Sequence, residues 1–321
     1  MRKRILSGIQ PSGKLHLGNY FGAIKQHIAL QEEGEAFYFI ANYHALTTVQ
    51  DAAELRRLTL DVAIDYLALG LDPVKATLFR QSDIPEVTEL TWLLATVTGM
   101  GLLERAHSYK DKIAKGIAAK VGLFTYPVLM AADILIYQSD IVPVGADQLQ
   151  HIEMTQDMAG YFNATYGEVF KRPEAQLNET SKVPGVDGQK MSKSYDNTIE
   201  IFAEGNPLKK AVMAIVTDST PVEAPKDPDT NTVFQLYLLF ASEAEKAEMR
   251  ERFLAGGYGY GDAKKALLHK IDEYFAPARA RRKELVKNRD YIEEVLRKGA
   301  EHARNEASKT LKRARQACGI D

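Results

Sequence analysis

The chain has 321 residues, 45% of them hydrophobic and 26% charged, with a formal net charge of −2; this is ordinary globular composition, with apolar mass for one large or two modest cores. No apolar run approaches the roughly eighteen residues of a membrane span, and none follows the basic start "MRKRILSGIQ" as a secretory leader would require, so a cytoplasmic protein with no membrane partner is expected. Cys318 is the single cysteine, which excludes an intramolecular disulfide and a cluster of cysteine metal ligands.

Short β-rich runs alternate with helical patterns through the first half of the chain. "RILSG" (4–8), "AFYFIANY" (36–43), "ATLFRQ" (76–81) and "DIVPVG" (140–145) predict buried strands that end in polar or glycine residues. Between them, Asp51 and Glu54 form a capping-box pattern opening a helix whose Leu55, Leu58, Val62, Tyr66 and Leu69 share one face. The alternation predicts an α/β fold with a parallel sheet covered on both sides, and in such sheets ligands bind beyond the carboxyl ends of the strands. The stretch 88–106, "TELTWLLATVTGMGLLERA", is apolar nearly all round, as suits either buried core or a dimer interface. After Pro184 comes a loop rich in Gly, Lys and Ser, then almost continuous helix, interrupted by an exposed loop at 220–231.

Charge is unevenly placed. Residues 277–316 carry thirteen Lys and Arg against six Asp and Glu, a balance of +7 that leaves −9 on the rest of the chain. A basic tail on an acidic body points to a polyanionic partner, and a solvated helix face explains it equally well.

Three stretches carry chemistry. "GKLHLGNYFG" (13–22) follows the first strand and sets His16, Gly18 and Asn19 at the first turn of a helix, where unpaired N–H groups and the dipole favour phosphate. Taken alone, a glycine-rich turn with a capping asparagine explains it better. "KMSKS" (190–194) places Lys190 and Lys193 as mobile cations and Ser192 and Ser194 as donors in a glycine-flanked loop, a set that can close over a triphosphate. Third, Tyr126, Met130 and Asp133 recur at helical spacing on one face. An aspartate among Leu, Met, Ala and Ile is expensive to bury unless something donates to it.

HLGN after the first strand together with KMSKS after the last resembles the paired signatures of the class I aminoacyl-tRNA synthetases. The block 123–162, "SGIQPSG" (7–13) and the segment near the end beginning "YGYGDAKKALL" are similar to the tryptophan-specific branch, over essentially the whole chain. The resemblance implies a Rossmann-type catalytic domain over 1–200, with inserted dimer-interface helices at about 85–120, and an all-helical anticodon-binding domain over 201–321. It implies activation of L-tryptophan by ATP with Mg²⁺, transfer to the terminal ribose of tRNA(Trp), and a homodimer. Asp133 is then the acceptor for the indole N–H, with Tyr126, Met130, Val142 and Val144 around the ring. Gln10, Pro11, Ser12, His16, Gly18, Asn19, Gly145, Ala146, Asp147 and Val183 border ATP together with Lys190, Met191, Ser192, Lys193 and Ser194. Lys190, Lys193 and Lys112 (or Lys110, two residues before it) act on the phosphates. A tyrosyl-tRNA synthetase shares this fold and chemistry, and a small-molecule nucleotidyltransferase shares the HxGH-like site but leaves the helical C-terminal part unexplained. A non-catalytic RNA-binding relative would be expected to have lost lysines of KMSKS.

Overall fold

The computed structural model describes residues 2–106, 109–110, 116, 120–177 and 182–320. Five strands, β1 (Arg4–Ile9), β2 (Glu35–Ile40), β3 (Ala76–Arg80), β4 (Ile141–Val144) and β5 (Glu174–Leu177), form one sheet in the order β3-β2-β1-β4-β5. Every pairing is parallel. Continuous burial along β2, from Ala36 to Ile40, is what a parallel strand covered on both faces requires.

From β1 the chain steps outward through β2 to β3, then returns to lay β4 on the other side of β1. The crevice outside the carboxyl ends of β1 and β4 is therefore the switch point at which such sheets bind ligands. Helix Ala52–Leu69 leads from β2 towards β3; the Asp51 carboxylate accepts from the Glu54 N–H at 2.6 Å, as the sequence pattern requires, and Gly70 ends the helix in the left-handed conformation. The run 36–43 was expected to be strand throughout, but β2 stops at Ile40 and Asn42–Ala45 is a helical turn. The Asn42 amide, paired with Ser82 through its Nδ2 (2.7 Å) and Oδ1 (3.0 Å), ties that turn to the end of β3. β5 was not anticipated: "EAQL" is polar and half-exposed, as an edge strand is, and has no apolar alternation to announce it.

The chain folds into two compact units, Met1–Gly13 with Gln26–Asn178 and Leu285–Asp321, and Lys14–Lys25 with Glu179–Glu284. This departs from the expected division at residue 200 in two places. Helix Arg289–Cys318 belongs to the sheet-bearing unit: its Ala303, Ala307, Leu311 and Ala314 lie in one core with Leu6, Phe37 and Phe79, and His302 stacks on Phe37. Its charges hold it there, with Arg304 on Glu86 (2.7 Å), Glu306 on Arg4 (2.6 Å), Glu293 on Arg80 (2.6 Å) and Arg315 on Glu89. Arg304 and Arg315 of the basic tail are thus committed to carboxylates of the sheet-bearing unit, while Glu293 and Glu306 supply the acids of the other two pairs. Residues 14–25 join the helical unit because Leu17 N–H bonds Ile199 O (3.0 Å) and Ile201 N–H bonds Leu15 O (3.1 Å). Tyr20 and Phe21 also sit in an aromatic cluster with Phe240, Tyr274 and Phe275.

Gly299 shows how closely the last helix lies on the sheet. A Cβ there would fall 1.9 Å from the Leu78 carbonyl oxygen of β3, a backbone atom with no room to give. Gly299→Ala is expected to destabilise by at least about 3 kcal/mol through forced displacement of the helix. Gly101→Ala, where a Cβ meets nothing within 4 Å, is the control and is expected to be neutral or mildly stabilising in urea unfolding.

Candidate active site

In the sheet-bearing unit, the carboxyl ends of β2 and β3 converge on one buried acid. Asp133, on helix Val121–Leu135, is 2% exposed. Gln81, the first residue after β3, donates from Nε2 to both carboxylate oxygens at 2.9 and 2.8 Å, and His44, in the turn after β2, meets Oδ2 through Nε2 at 2.9 Å. The Gln81 amide is itself fixed, its Oε1 accepting from the Tyr43 N–H at 3.0 Å. Burial pushes the Asp133 carboxyl up, and the His44 and Gln81 hydrogen bonds pull it partly back. A carboxylate offers about four lone-pair positions, so Oδ1, engaged among the described residues by Gln81, keeps capacity for a further N–H.

Along the same helix the expected face is present: Tyr126 and Met130 are half-buried and Asp133 is buried. Tyr126 Oη bonds His151 Nε2 at 2.7 Å, and His151 Nδ1 is 3.1 Å from Gln148 Oε1. The Tyr126 ring stands edge-on to His44. On β4, Val142 belongs to the core and Val144 is half-buried against it. Gln10, Pro11 and Ser12 follow β1, while Gly145, Ala146 and Asp147 follow β4, so both groups lie at the switch point. Gln10 is anchored by its amide to His44 O and Thr48 Oγ1, both at 3.3 Å.

The helical unit brings the two short signatures together. Asn19 Oδ1 accepts from the His16 N–H at 3.1 Å, the capping role the sequence suggested. Of the first-turn amides, that of Leu17 is committed to Ile199, whereas that of Gly18 meets the soft thioether of Met191, at 3.4 Å. The His16 imidazole is buried, and among the described residues its Nδ1 has no hydrogen-bond partner. Burial, with the Lys193 charge adding to it, lowers its pKa to about 4, so at neutral pH the ring is an uncharged hydrogen-bonding group and the positive charge comes from the lysines. Met191 is buried, Lys193 half-buried and Lys190 exposed. Val183 is buried, with its carbonyl accepting from the Met191 N–H at 2.9 Å.

Lys112 lies outside the described residues; Lys110 is exposed. Sequence reasoning passed over His44, Gln81 and His151. The first two had a usable signal, a polar residue at the end of a predicted strand (Gln81) or just past it (His44), which is where α/β sheets present ligand groups.

The family model of the tRNA synthetases class I (W and Y) matches residues 2–276. The chain belongs to this family. It is 58% identical over 318 residues to the tryptophan–tRNA ligase of Rhodopirellula baltica, which covers 99% of both chains. With that of Fusobacterium nucleatum it shares 58% over 320 residues, 99% of this chain and 98% of the relative. Among solved structures it superposes on the tryptophanyl-tRNA synthetase of Campylobacter jejuni complexed with ADP and tryptophan with a TM-score of 0.93, at 49% identity over 98% of this chain and 99% of that one. The expected Rossmann-type parallel sheet is the fold of this class I family.

Replacing Gln81 by Leu is expected to raise the Asp133 pKa further, because a donor to the ionised form is lost. The unfolded-state pKa does not change, so the folded carboxylate is penalised most above its raised pKa. Gln81→Leu should therefore destabilise by about 1.5–3 kcal/mol at neutral pH, as for lost hydrogen bonds to a charged group, with the cost shrinking as the pH falls and the carboxyl protonates. Urea unfolding at several pH values measures this; a pH-independent cost would contradict it.

Proposed function

We propose that this protein activates L-tryptophan with ATP and transfers it to the 3′ terminal ribose of tRNA(Trp). The observation that carries the reading is the buried Asp133 carboxylate, held by Gln81 and His44 with an oxygen still able to accept, in a chain 58% identical to tryptophan–tRNA ligases along its whole length. The relatives at 49–58% identity carry the tryptophan name, which disfavours the tyrosyl and nucleotidyltransferase alternatives.

In this reading the sheet-bearing unit takes the amino acid. Asp133 accepts from the indole N–H, while Tyr126, Met130, Val142 and Val144 supply apolar contact to the ring. Gln10, Pro11, Ser12, Gly145, Ala146 and Asp147 serve the nucleotide from the carboxyl ends of β1 and β4. The helical unit takes the phosphates. The Gly18 N–H exchanges its weak thioether contact for a phosphate oxygen, His16 and Asn19 line the same turn, and Val183 with the Met191 backbone faces the adenine. Lys190, Lys193, Ser192 and Ser194 stabilise charge on the leaving group, and Lys112 is assigned to the same task.

In the first step a tryptophan carboxylate oxygen bonds to the α-phosphorus, the bond from that phosphorus to the bridging oxygen breaks, and diphosphate leaves with the electron pair. In the second, a ribose hydroxyl of tRNA attacks the acyl carbon and AMP departs. No enzyme nucleophile is needed, so catalysis rests on in-line positioning and charge stabilisation. Mg²⁺ enters with the triphosphate: among the described residues no group of three His, Cys, Asp or Glu converges to hold an ion, and phosphates with water are its usual ligands.

The homodimer is part of the proposal. Trp92, Met100 and Val121 are 70%, 63% and 78% exposed in the single chain, a poor fit to water and a good one to a second copy. Anticodon recognition, expected over 201–321, is assigned to the part of that stretch that lies in the helical unit, residues 201–284. Among the described residues no helix is long and apolar enough to cross a membrane.

Exchange of labelled diphosphate into ATP, run against all twenty amino acids, tests the activation step. Exchange is expected with tryptophan, and Lys193→Ala should lower kcat by about 10²–10³ with KM for tryptophan little changed, as for other oriented donors to a developing charge. Exchange with tyrosine in place of tryptophan would overturn the assignment.

A further inference from the structure

The 190–194 loop has one buried polar anchor that the activation chemistry leaves without a role. Asn197 is 1% exposed, and its amide is fully engaged. Nδ2 donates to Lys190 O at 3.1 Å and to Asp187 Oδ1 at 2.8 Å, while Oδ1 accepts from the Ser192 N–H at 2.7 Å. The orientation is unambiguous, because the flipped amide would set oxygen against a carbonyl and a carboxylate. Asp187 Oδ1 also accepts from the Gln189 N–H at 3.0 Å, and the Asn197 carbonyl accepts from the Val186 N–H at 2.9 Å. Asn197 follows Asp196, which turns the chain through a left-handed conformation at φ 51°. Gly185 leaves the space: a Cβ there would fall 2.3 Å from Asn197 Nδ2.

The two backbone groups that Asn197 holds, the Lys190 carbonyl and the Ser192 N–H, stand on either side of Met191. Gripping both prevents the 190–192 segment from rotating, and it fixes the direction in which Lys190 leaves the backbone and the start of the turn Lys193–Tyr195. An asparagine can do this where an aspartate cannot, since two of its three contacts need a donor.

We propose that Asn197 is a positioning residue for the phosphate-binding lysines, its buried amide clamping the loop in the conformation that presents Lys190 and Lys193 to the triphosphate. This rests on the activation reading above, and the test separates the two. Hydrogen exchange of the full-length protein, which needs no activity, is the first readout. The Ser192 amide is expected to be protected in the wild type and to exchange at least about tenfold faster in Asn197→Ala, as expected for local opening. Equal protection overturns the clamp.

Diphosphate exchange is the second readout. Asn197→Ala is expected to lower kcat about 30-fold with KM for tryptophan within about twofold, the pattern of a lost transition-state interaction. In a Lys190→Ala background the same substitution should cost at least about threefold less, because residues acting through one another are non-additive. A full 30-fold cost in that background, or a rise in KM for tryptophan that parallels the fall in kcat, overturns the proposal.

If Asn197→Ala does not fold, the exposed Asp187→Ala removes one of its anchors. It is expected to lower kcat about three- to tenfold and to quicken Ser192 exchange; behaviour identical to wild type would count against the clamp. A wild type inactive with every amino acid refutes the activation reading, while Ser192 exchange still decides the clamp.

Discussion

A carboxylate removed from water must find donors, and that requirement at Asp133 organises the sheet-bearing unit. Ionised and unpaired, it would disfavour folding by several kcal/mol. Gln81 and His44 meet the need, Gln81 because β3 ends just before it and His44 because it stands in the helical turn after β2. The Asn42–Ser82 pairing and the Tyr43 N–H to Gln81 bond then lock the two strand ends to one another. The outcome is a pre-oriented acceptor with room for one more donor; in the proposed reading that donor is the indole N–H, and side chains without one are rejected because they leave it unmade.

The same economy of contacts explains the last helix. A segment carrying +7 reads as a polyanion-binding surface, yet Arg304 and Arg315 face Glu86 and Glu89, and Arg313 bonds the Val169 carbonyl at 2.9 Å. Charge that looks like a binding tail in one dimension is partly a docking device in three, and Gly299 sets how close the docking is. Helix Arg289–Cys318 is in this sense a cover for the sheet that supports the strand ends.

Four strands, the parallel sheet, the capped helix 52–69, Asp133 as a buried acid and the pairing of HLGN with KMSKS were legible in the sequence. Each is carried by local periodicity, a capping residue or a distinctive run of residue types. The remainder depends on distant neighbours. β5 is polar and gains its place only by pairing with β4. The stripe Ile292, Leu296, Ala303, Ala307 and Leu311 announces burial without saying against what, so the return of the last helix to the sheet was hidden. His44 and Gln81 acquire meaning only when two strands set them beside Asp133, and Asn197 only when the loop closes around it. Local chemistry can be read along the chain; partnership across 52 or 89 residues, as between Asp133 and Gln81 or His44, cannot.

The central claim is that Asp133 reads an N–H. The most direct measurement compares tryptophan with its isostere carrying sulfur in place of the indole N–H, in diphosphate exchange by the wild type and by Asp133→Ala. The account predicts that the wild type prefers tryptophan by about 10²-fold or more in kcat/KM, because the isostere leaves the carboxylate unpaired, and that the preference largely disappears in the variant. Equal use of the two substrates by the wild type, or an undiminished preference in Asp133→Ala, would contradict it.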